Sequence, residues 1–179
     1  MLKKVLLAFL VAVAVVLGAI AVQPSTYTVN RSVVIAAPPA VIFNAVNDFH
    51  RWPAWSPWEK LDPAMKKTYT GSQEGAGAVY HWSGNNEAGE GSMTMTQSVP
   101  NDHVTIQLAF TRPFSSSSVI GLAIKPEGAG SLVTWNLTGQ STFPIKAISL
   151  FSSMDKMMGP DFERGLAQLK TVAEAAAQK

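Results

Sequence analysis

The sequence predicts an α+β protein in which an antiparallel sheet is covered by one long C-terminal helix and preceded by an N-terminal membrane-spanning helix. Three observations support this prediction: an uncharged apolar run near the N-terminus, a succession of strand-like segments separated by turns, and an apolar stripe at helical spacing near the C-terminus. Antiparallel strands with helices on one side are typical of the α+β class. We expect an anchor (1–23), a spacer (24–27) and a single domain (28–179).

The apolar run at residues 5–22 carries no charge and follows Lys3 and Lys4. A helix needs about 20 apolar residues to cross a bilayer, so the run is close to the required length. Flanking basic residues stay in the cytoplasm, which places the remaining chain on the far side of the membrane. Ala19-Ile20-Ala21 is a small-x-small pattern of the kind that signal peptidases cut. We expect an uncleaved anchor with an exported domain on the periplasmic or extracytoplasmic side. The alternative is a secreted domain, cleaved after Ala21.

The predicted domain has balanced charge and no cysteine. The chain contains 14 Lys and Arg against 12 Asp and Glu, and Lys3 and Lys4 account for the excess. Nucleic-acid-binding proteins normally carry a basic patch or stripe. The sequence shows no such run, so nucleic acid is not an expected partner. The absence of cysteine excludes disulfides, thiolate metal sites and cysteine nucleophiles.

The domain is predicted to begin with a strand and a short helix. Residues 27–36 are rich in β-branched side chains, which favours a strand. Pro38 and Pro39 follow, and proline is favoured in the first turn of a helix. Apolar residues within 41–46 then share one helical face. The stretch 49–62 is rich in Trp and Pro, which predicts a loop or a broken helical turn.

From about Lys67 the sequence changes to strands and turns. Apolar and polar residues alternate most clearly at 104–111 and 133–138, which predicts a sheet with one buried face. The separating segments are rich in Gly, Asn and Pro, as expected for turns. The strand-like segments are 79–83, 91–99, 103–111, 117–125 and 131–140.

The C-terminal stretch has apolar residues at spacings of three and four, which predicts an amphipathic helix that ends near Ala176. Gly159-Pro160 interrupts this pattern. Because proline removes a helical hydrogen bond and clashes with the preceding turn, we expect a kink or a restart of the helix there. The apolar stripe consists of Ile148, Phe151, Met154, Met158, Phe162, Leu166, Leu169 and Val172.

Five short segments are distinctive in combination: 31–39 (RSVVIAAPP), 41–43 (VIF), 48–58 (DFHRWPAWSPW), 75–82 (GAGAVYHW) and 162–170 (FERGLAQLK). With these segments, the chain resembles the SRPBCC superfamily of START-like, birch-pollen-allergen-like and polyketide-cyclase-type domains. The resemblance implies the helix-grip fold, a curved antiparallel sheet wrapped around the long C-terminal helix, with a hydrophobic cavity between them. It does not imply a particular reaction, because one fold hosts many chemistries.

The candidate ligand-binding residues are aromatic and methionine side chains that such a fold would place around its cavity. Trp52, Trp55 and Trp58 are three residues apart, which suits either an aromatic gate for a flat or lipid-like ligand or a hydrophobic plug, and we favour the plug. Methionine adapts to varied ligands but also fills gaps in ordinary cores. The other candidates are Tyr80, Trp82, Met93, Met95, Phe110, Trp135, Met154 and Met158.

Catalytic and metal-binding motifs are not evident in the sequence. His50, His81 and His103 lack the spacing of metal ligands, and no nucleophile elbow, P-loop or dinucleotide fingerprint is present. If Tyr80 and Trp82 face the cavity, His81 faces solvent. The acids nearest the distinctive segments have no spacing that makes them converge; they are Glu59, Glu90, Asp161 and Glu163.

The leading functional hypothesis is a membrane-tethered domain that binds or carries an apolar small molecule or lipid, since cavities lined mainly by apolar groups are the usual ligand sites. Its expected partners are that ligand and, through residues 5–22, the membrane. No cofactor or metal is expected. One alternative is a cyclase- or dehydratase-like enzyme, indicated by a titratable pocket residue with a shifted pKa. The other is a non-catalytic envelope interaction domain with a filled interior.

Overall fold

The computed structural model describes residues 1–178 and contains one seven-stranded antiparallel sheet with helices at both ends of the chain. Lys179, the last residue of the expected domain, lies outside the described residues. The elements in chain order are α1 (Leu2–Ala21), β1 (Thr26–Ile35), α2 (Pro39–Val46), a 3₁₀ helix (Phe49–Ala54), β2 (Lys66–Gly71), β3 (Ala78–Ser83), β4 (Glu90–Val99), β5 (His103–Arg112), β6 (Ser116–Glu127), β7 (Gly130–Gln140), α3 (Phe143–Ser149) and α4 (Met154–Ala177).

The spatial order of the strands is β1-β7-β6-β5-β4-β3-β2, and every neighbouring pair is antiparallel. Burial alternates along β5 and β7 as the sequence pattern predicts, which gives the sheet one buried face. The curved sheet and the long C-terminal helix confirm the predicted α+β, helix-grip architecture. β1 begins at Thr26 and so includes the last two residues of the expected spacer.

Helix α4 lies along β1 and satisfies polar groups of that edge strand. Lys170 Nζ donates to the carbonyl oxygen of Val34 at 2.9 Å, and Glu174 Oε1 accepts from the backbone N–H of Ala36 at 2.8 Å. An edge strand otherwise presents unpaired backbone groups. The helix therefore supplies hydrogen bonds that a further strand would make.

Arg31 on β1 holds the first turns of α4. Its guanidinium contacts the carboxylates of Asp155 and Glu163, each at 2.7 Å. The hydrogen bond from Arg31 lowers the pKa of Asp155 below its usual value. A Cβ at Gly159 would lie 2.1 Å from Arg31 Nη2, so glycine allows the guanidinium to approach the helix.

The break in the C-terminal helical region lies at residues 150–153, so the helix does not restart at Gly159-Pro160. The kink, which was the other form of the prediction, stays a prediction. Ser153 caps the start of α4, since its side chain accepts from the backbone N–H of Lys156. α4 then continues through Pro160. A residue before proline normally leaves the helical region because its Cβ meets the proline ring, and Gly159 has no Cβ.

Helix α1 has 20 residues and is the one helix, among residues 1–178, that is long and apolar enough to cross a membrane. Signal sequences near an N-terminus have the same features. Ile20 is its only buried residue, and the hydrophobic core of the domain begins at Val29. α1 touches the rest of the chain at its end, where Lys146 Nζ of α3 donates to the carbonyl oxygen of Ala21 at 3.4 Å.

Candidate functional site

The tryptophans of the 48–58 segment fasten this irregular stretch to the core. Trp52 Nε1 donates to the carbonyl oxygen of Val46 at 3.0 Å, and Trp55 Nε1 donates to that of Ala45 at 3.1 Å. Both acceptors lie in the last turn of α2. Since the indole N–H groups of Trp52 and Trp55 both find acceptors, the 3₁₀ helix and the residue after it bury two large rings with their N–H groups paired, whereas the buried N–H of Trp135 has no partner among the described residues.

Trp135 of β7 lies at the centre of an aromatic cluster. Its ring stacks on Phe162 of α4 with a centroid distance of 4.4 Å. Trp55 and Trp58 meet it edge-on at 5.5 and 5.6 Å. A Cβ at Gly165 would lie 2.7 Å from Trp135 Cζ3, so glycine is needed where α4 crosses the ring. We call these side chains the tryptophan cluster: Trp52, Trp55, Trp58, Trp135 and Phe162.

A cavity of about 170 Å³ lies beside this cluster, against the buried face of β3 to β5. Its walls are almost entirely apolar. The lining side chains come mainly from the strands, from the loop after the 3₁₀ helix and from the β3–β4 hairpin. A cavity of about 150 Å³ lined by aliphatic and aromatic groups stays dry and holds benzene. The lining consists of Trp52, Ser56, Trp58, Glu59, Leu61, Met65, Tyr80, Trp82, Glu87, Ala88, Met93, Leu108, Phe110, Ile120, Leu137 and Met158.

Seven of the eleven predicted site residues line this cavity: Trp52, Trp58, Tyr80, Trp82, Met93, Phe110 and Met158. The other four do not. Trp55, Met95 and Trp135 are fully buried in the packed core, and Met154 packs against that core from the first turn of α4. The structure therefore separates the predicted set, because four of its members fill space in or against the core instead of enclosing the cavity.

Trp82 forms the cavity wall nearest the β3–β4 hairpin. Its Nε1 donates to the carbonyl oxygen of Ala88 at 3.0 Å, and Phe110 meets its ring edge-on at 5.2 Å. A Cβ at Gly91 would lie 2.6 Å from Trp82 Cη2. The glycine therefore lets the indole lie close to β4, which keeps it out of the cavity volume.

Tyr80 and Glu59 form the polar edge of the cavity. Tyr80 Oη lies 3.5 Å from Glu59 Oε1. The Glu59 side chain is largely buried, and its other carboxylate oxygen, Oε2, is ion-paired with Lys67. Burial raises the pKa of the Tyr80 phenol, and the negative charge of Glu59 raises it further. Burial likewise raises the pKa of neighbouring Tyr69. Tyr80 is thus held as a neutral phenol, and the one hydrogen bond that it can donate is directed to Glu59.

The three histidines lie outside the cavity lining. His81 is exposed on the opposite side of β3, as predicted. His50 pairs with Asp48 at 2.9 Å, and His103 pairs with Asp102 at 2.7 Å. Within residues 1–178, no group of three or more His, Cys, Asp or Glu side chains could hold a metal ion.

Sequence reasoning missed nine lining residues, of which only some had a signal. Leu108 and Leu137 lie two residues from Phe110 and Trp135 on their strands, and Ile120 lies at a buried position of the alternating strand β6, so the period-two pattern assigns these three to the buried face. The loop residues had no such period and are placed by tertiary contacts alone. They are Ser56, Glu59, Leu61, Met65, Glu87 and Ala88.

A sheet and a terminal helix that enclose an apolar cavity define a helix-grip domain. The family model described as "Polyketide cyclase / dehydrase and lipid transport" matches residues 26–174. The chain belongs to this family, which confirms the resemblance to SRPBCC domains. No curated protein sequence matches the chain.

Solved structures of low sequence identity share this fold. Protein CV1439 from Chromobacterium violaceum is 14% identical with a TM-score of 0.58, and the match covers 84% of this chain and 99% of that one. Protein MLL2253 from Mesorhizobium loti is 15% identical with a TM-score of 0.61, covering 83% and 98%. The Aha1 dimer from Colwellia psychrerythraea is 17% identical with a TM-score of 0.54, covering 83% and 96%. At these identities the similarity establishes the fold alone.

Proposed function

We propose that this protein is a membrane-tethered domain that binds an apolar group of a small molecule or lipid in its cavity. The observation that supports this most directly is a cavity of about 170 Å³ whose walls are almost entirely apolar. Native cores are packed at the density of organic crystals and leave few voids larger than a water molecule. An apolar space of this size within a packed domain supports ligand binding, because ligand sites are mostly apolar cavities.

The volume limits what is enclosed. An apolar cavity of about 150 Å³ holds benzene, so an apolar ring or a short acyl segment fits a cavity of this size. A complete diacyl lipid is far larger. The ligand therefore places one apolar end among side chains such as Trp82, Met93 and Phe110, and the rest of it stays outside. Because the Tyr80 proton is directed to Glu59, Tyr80 Oη can accept a hydrogen bond from a hydroxyl or amide group of the ligand at the polar edge.

The tether is α1. Its length suits one bilayer crossing, and Lys3 and Lys4 favour a cytoplasmic N-terminus, so the domain is exported. Cleavage after Ala21 would release the domain in secreted form. Mass analysis of the mature N-terminus distinguishes the two states, and we expect the uncleaved chain.

A second candidate function is a cyclase- or dehydratase-like reaction. The observation that favours it is the Tyr80 phenol beside the Glu59 carboxylate at the cavity wall. Such a pair can exchange a proton with a bound substrate. Glu59→Gln separates the two functions: a binding domain keeps its ligand unchanged, whereas an enzyme accumulates unconverted substrate.

The test is native mass spectrometry of the full chain, purified in mild detergent from the membranes of its own host. We expect an added mass that organic solvent releases. Leu108→Trp places an indole in the cavity and should abolish this mass while the melting temperature is kept or raised. Ala109→Trp is the matched control, because Ala109 lies on the opposite face of β5 and should leave the added mass in place.

A wild-type chain without any added mass would contradict a stably bound ligand. Retention of the mass in Leu108→Trp would contradict the cavity as its site.

A further inference from the structure

Exposed apolar side chains are concentrated in one part of the domain. Seven large ones are exposed beyond residue 22, and four of these lie within residues 143–157. Phe151, in the link between α3 and α4, is 91% exposed. Single exposed apolar residues are ordinary, but clusters mark interaction surfaces. The seven residues are Val34, Phe114, Val119, Phe143, Ile148, Phe151 and Met157.

Helix α3 has an apolar sequence but no buried residue. Its seven residues, Phe143–Ser149, include one charge, Lys146. Phe143 and Ile148 are exposed by 61% and 40%. A helix of this composition in a soluble domain normally buries an apolar face. Ile145 and Ala147 are partly buried, since α3 contacts the end of α1, but Phe143 and Ile148 stay exposed to solvent.

The end of α1 lies against this helix. Lys146 Nζ donates to the carbonyl oxygen of Ala21, and the backbone N–H of Ser141 donates to that of Ser25 at 2.8 Å. A helix of 20 residues is about 30 Å long, the thickness of the hydrocarbon layer. If α1 spans the bilayer, Ala21 lies at the membrane surface. α3 then lies at the same level.

Strand register places other features at this same end of the sheet. β1 begins at Thr26 opposite Gln140, where β7 ends. The β5–β6 hairpin, which carries Phe114, and the β3–β4 hairpin are at this end too, because neighbouring strands are antiparallel. Phe114 is 59% exposed. We call this end of the domain the anchor-side end.

The cavity also lies at the anchor-side end. Its strand residues come from the anchor-side halves of their strands, as Trp82 near the end of β3 and Phe110 near the end of β5 show. The β3–β4 hairpin contributes Glu87 and Ala88 to the lining. Met158, seven residues after Phe151, adds a side chain from α4. The exposed apolar residues thus border the cavity end of the domain.

We propose that the anchor-side end is a second membrane contact, in which Phe114, Phe143, Ile148 and Phe151 enter the boundary between headgroups and acyl chains. Lys146 lies at the level of the headgroups, where its charge stays hydrated while its stem packs on apolar surface. This contact turns the cavity towards the bilayer, so an apolar ligand passes between lipid and cavity without crossing water. The inference rests on the proposed tether by α1 and requires no particular ligand.

The chain has no cysteine, so single cysteine variants give unique labelling sites in the full-length protein. Phe114→Cys and Phe151→Cys are labelled with an environment-sensitive fluorophore and reconstituted into phosphatidylcholine–phosphatidylglycerol vesicles that contain a lipid-attached quencher. The matched control is Ala129→Cys, exposed in the β6–β7 turn about 35 Å along β7 from Gln140. Ala12→Cys reports separately on the insertion of α1.

We expect blue-shifted emission and several-fold stronger lipid quenching at positions 114 and 151 than at 129. Water-like emission at 114 and 151 overturns the proposal, whatever the label at 12 shows. Blue-shifted emission without lipid quenching also overturns it, since a second copy of the chain would then cover this surface. A label at 12 that is not quenched by lipid overturns the tether, and the docking surface is then judged by positions 114 and 151 alone.

Discussion

The interior of this domain has two halves that differ in how completely they are filled. In the half beside β1 and α4, which we call the filled half, Trp55 and Trp135 are fully buried. A groove of about 420 Å³ between α2 and α4 borders neither of these two rings. Against β3 to β5, side chains of the same kind border a cavity of about 170 Å³. Aromatic composition alone therefore does not decide whether such a region is a core or a binding site.

The difference follows from what covers each half. α4 packs on β1, β7, α2 and the 3₁₀ helix, so its side chains interdigitate with the cluster. The other half is covered by the loop after the 3₁₀ helix and by the β3–β4 hairpin, with Met158 as the contribution of α4. Loops lack the regular side-chain rows with which helices fill grooves. A space remains where the helix does not reach.

The largest expected effect comes from removing one tryptophan from each half. Trp55→Ala should lower the free energy of unfolding by about 3–5 kcal/mol, since it empties a packed site and removes the hydrogen bond to Ala45. Trp82→Ala should cost at least about 1 kcal/mol less, because one face of that ring already borders empty space. Denaturant titrations of both variants measure the difference. Equal losses in the free energy of unfolding would contradict a cavity beside Trp82.

Even this contrast was only partly visible in the sequence. Alternation along β3 and β5 assigns Trp82 and Phe110 to the buried face, and the fold follows from the same pattern. The 48–58 segment has no period, so nothing in it tells Trp55, which is core, from Trp52 and Trp58, which reach the cavity. Trp52 and Trp55 both donate to carbonyl oxygens of α2, so the choice between core and cavity depends on the tertiary packing around each ring.

The helix break shows a similar limit. Gly159-Pro160 has the pattern of an interruption, yet the pair permits a continuous helix and gives Arg31 room to approach. The sequence identifies Gly159 and Pro160 as unusual residues in a helix. Whether they interrupt it depends on tertiary contacts, here the approach of Arg31 from β1 to Gly159.

A smaller effect is expected where α4 crosses the filled half. Glycine within a helix is normally about 1 kcal/mol less favourable than alanine. Gly165→Ala should nevertheless destabilise the protein, since its Cβ would lie 2.7 Å from Trp135 and 3.0 Å from Pro57. Ala167→Gly, exposed on the same helix, is the control and should show the ordinary loss. Thermal unfolding of both variants tests this, and a stabilised Gly165→Ala would mean that the cluster is loosely packed.

The smallest effect concerns the polar edge of the cavity, which Tyr80 and Glu59 form. Because the folded-state pKa of Tyr80 is raised, the folded chain holds this proton more tightly than the unfolded chain. Stability should therefore fall as the pH rises above the unfolded tyrosine value of about 10. Tyr80→Phe should flatten this fall in unfolding measurements from about pH 9 to about pH 11. Tyr69→Phe, at a more exposed phenol, is the control and should flatten it less.

The hydrogen bonds of Lys170 and Glu174 with the β1 edge have a consequence if α1 is the membrane tether proposed above. Copies held in two dimensions meet often and in similar orientations, and a free strand edge would then template intermolecular sheet growth. At the C-terminal end of β1, α4 side chains already pair with the carbonyl of Val34 and the N–H of Ala36. At the opposite edge, β2 is six residues long and begins with Lys66, whose charge opposes strand addition, and with Lys67, which is ion-paired with Glu59. Both margins of the sheet therefore carry features that oppose the pairing of one copy with another.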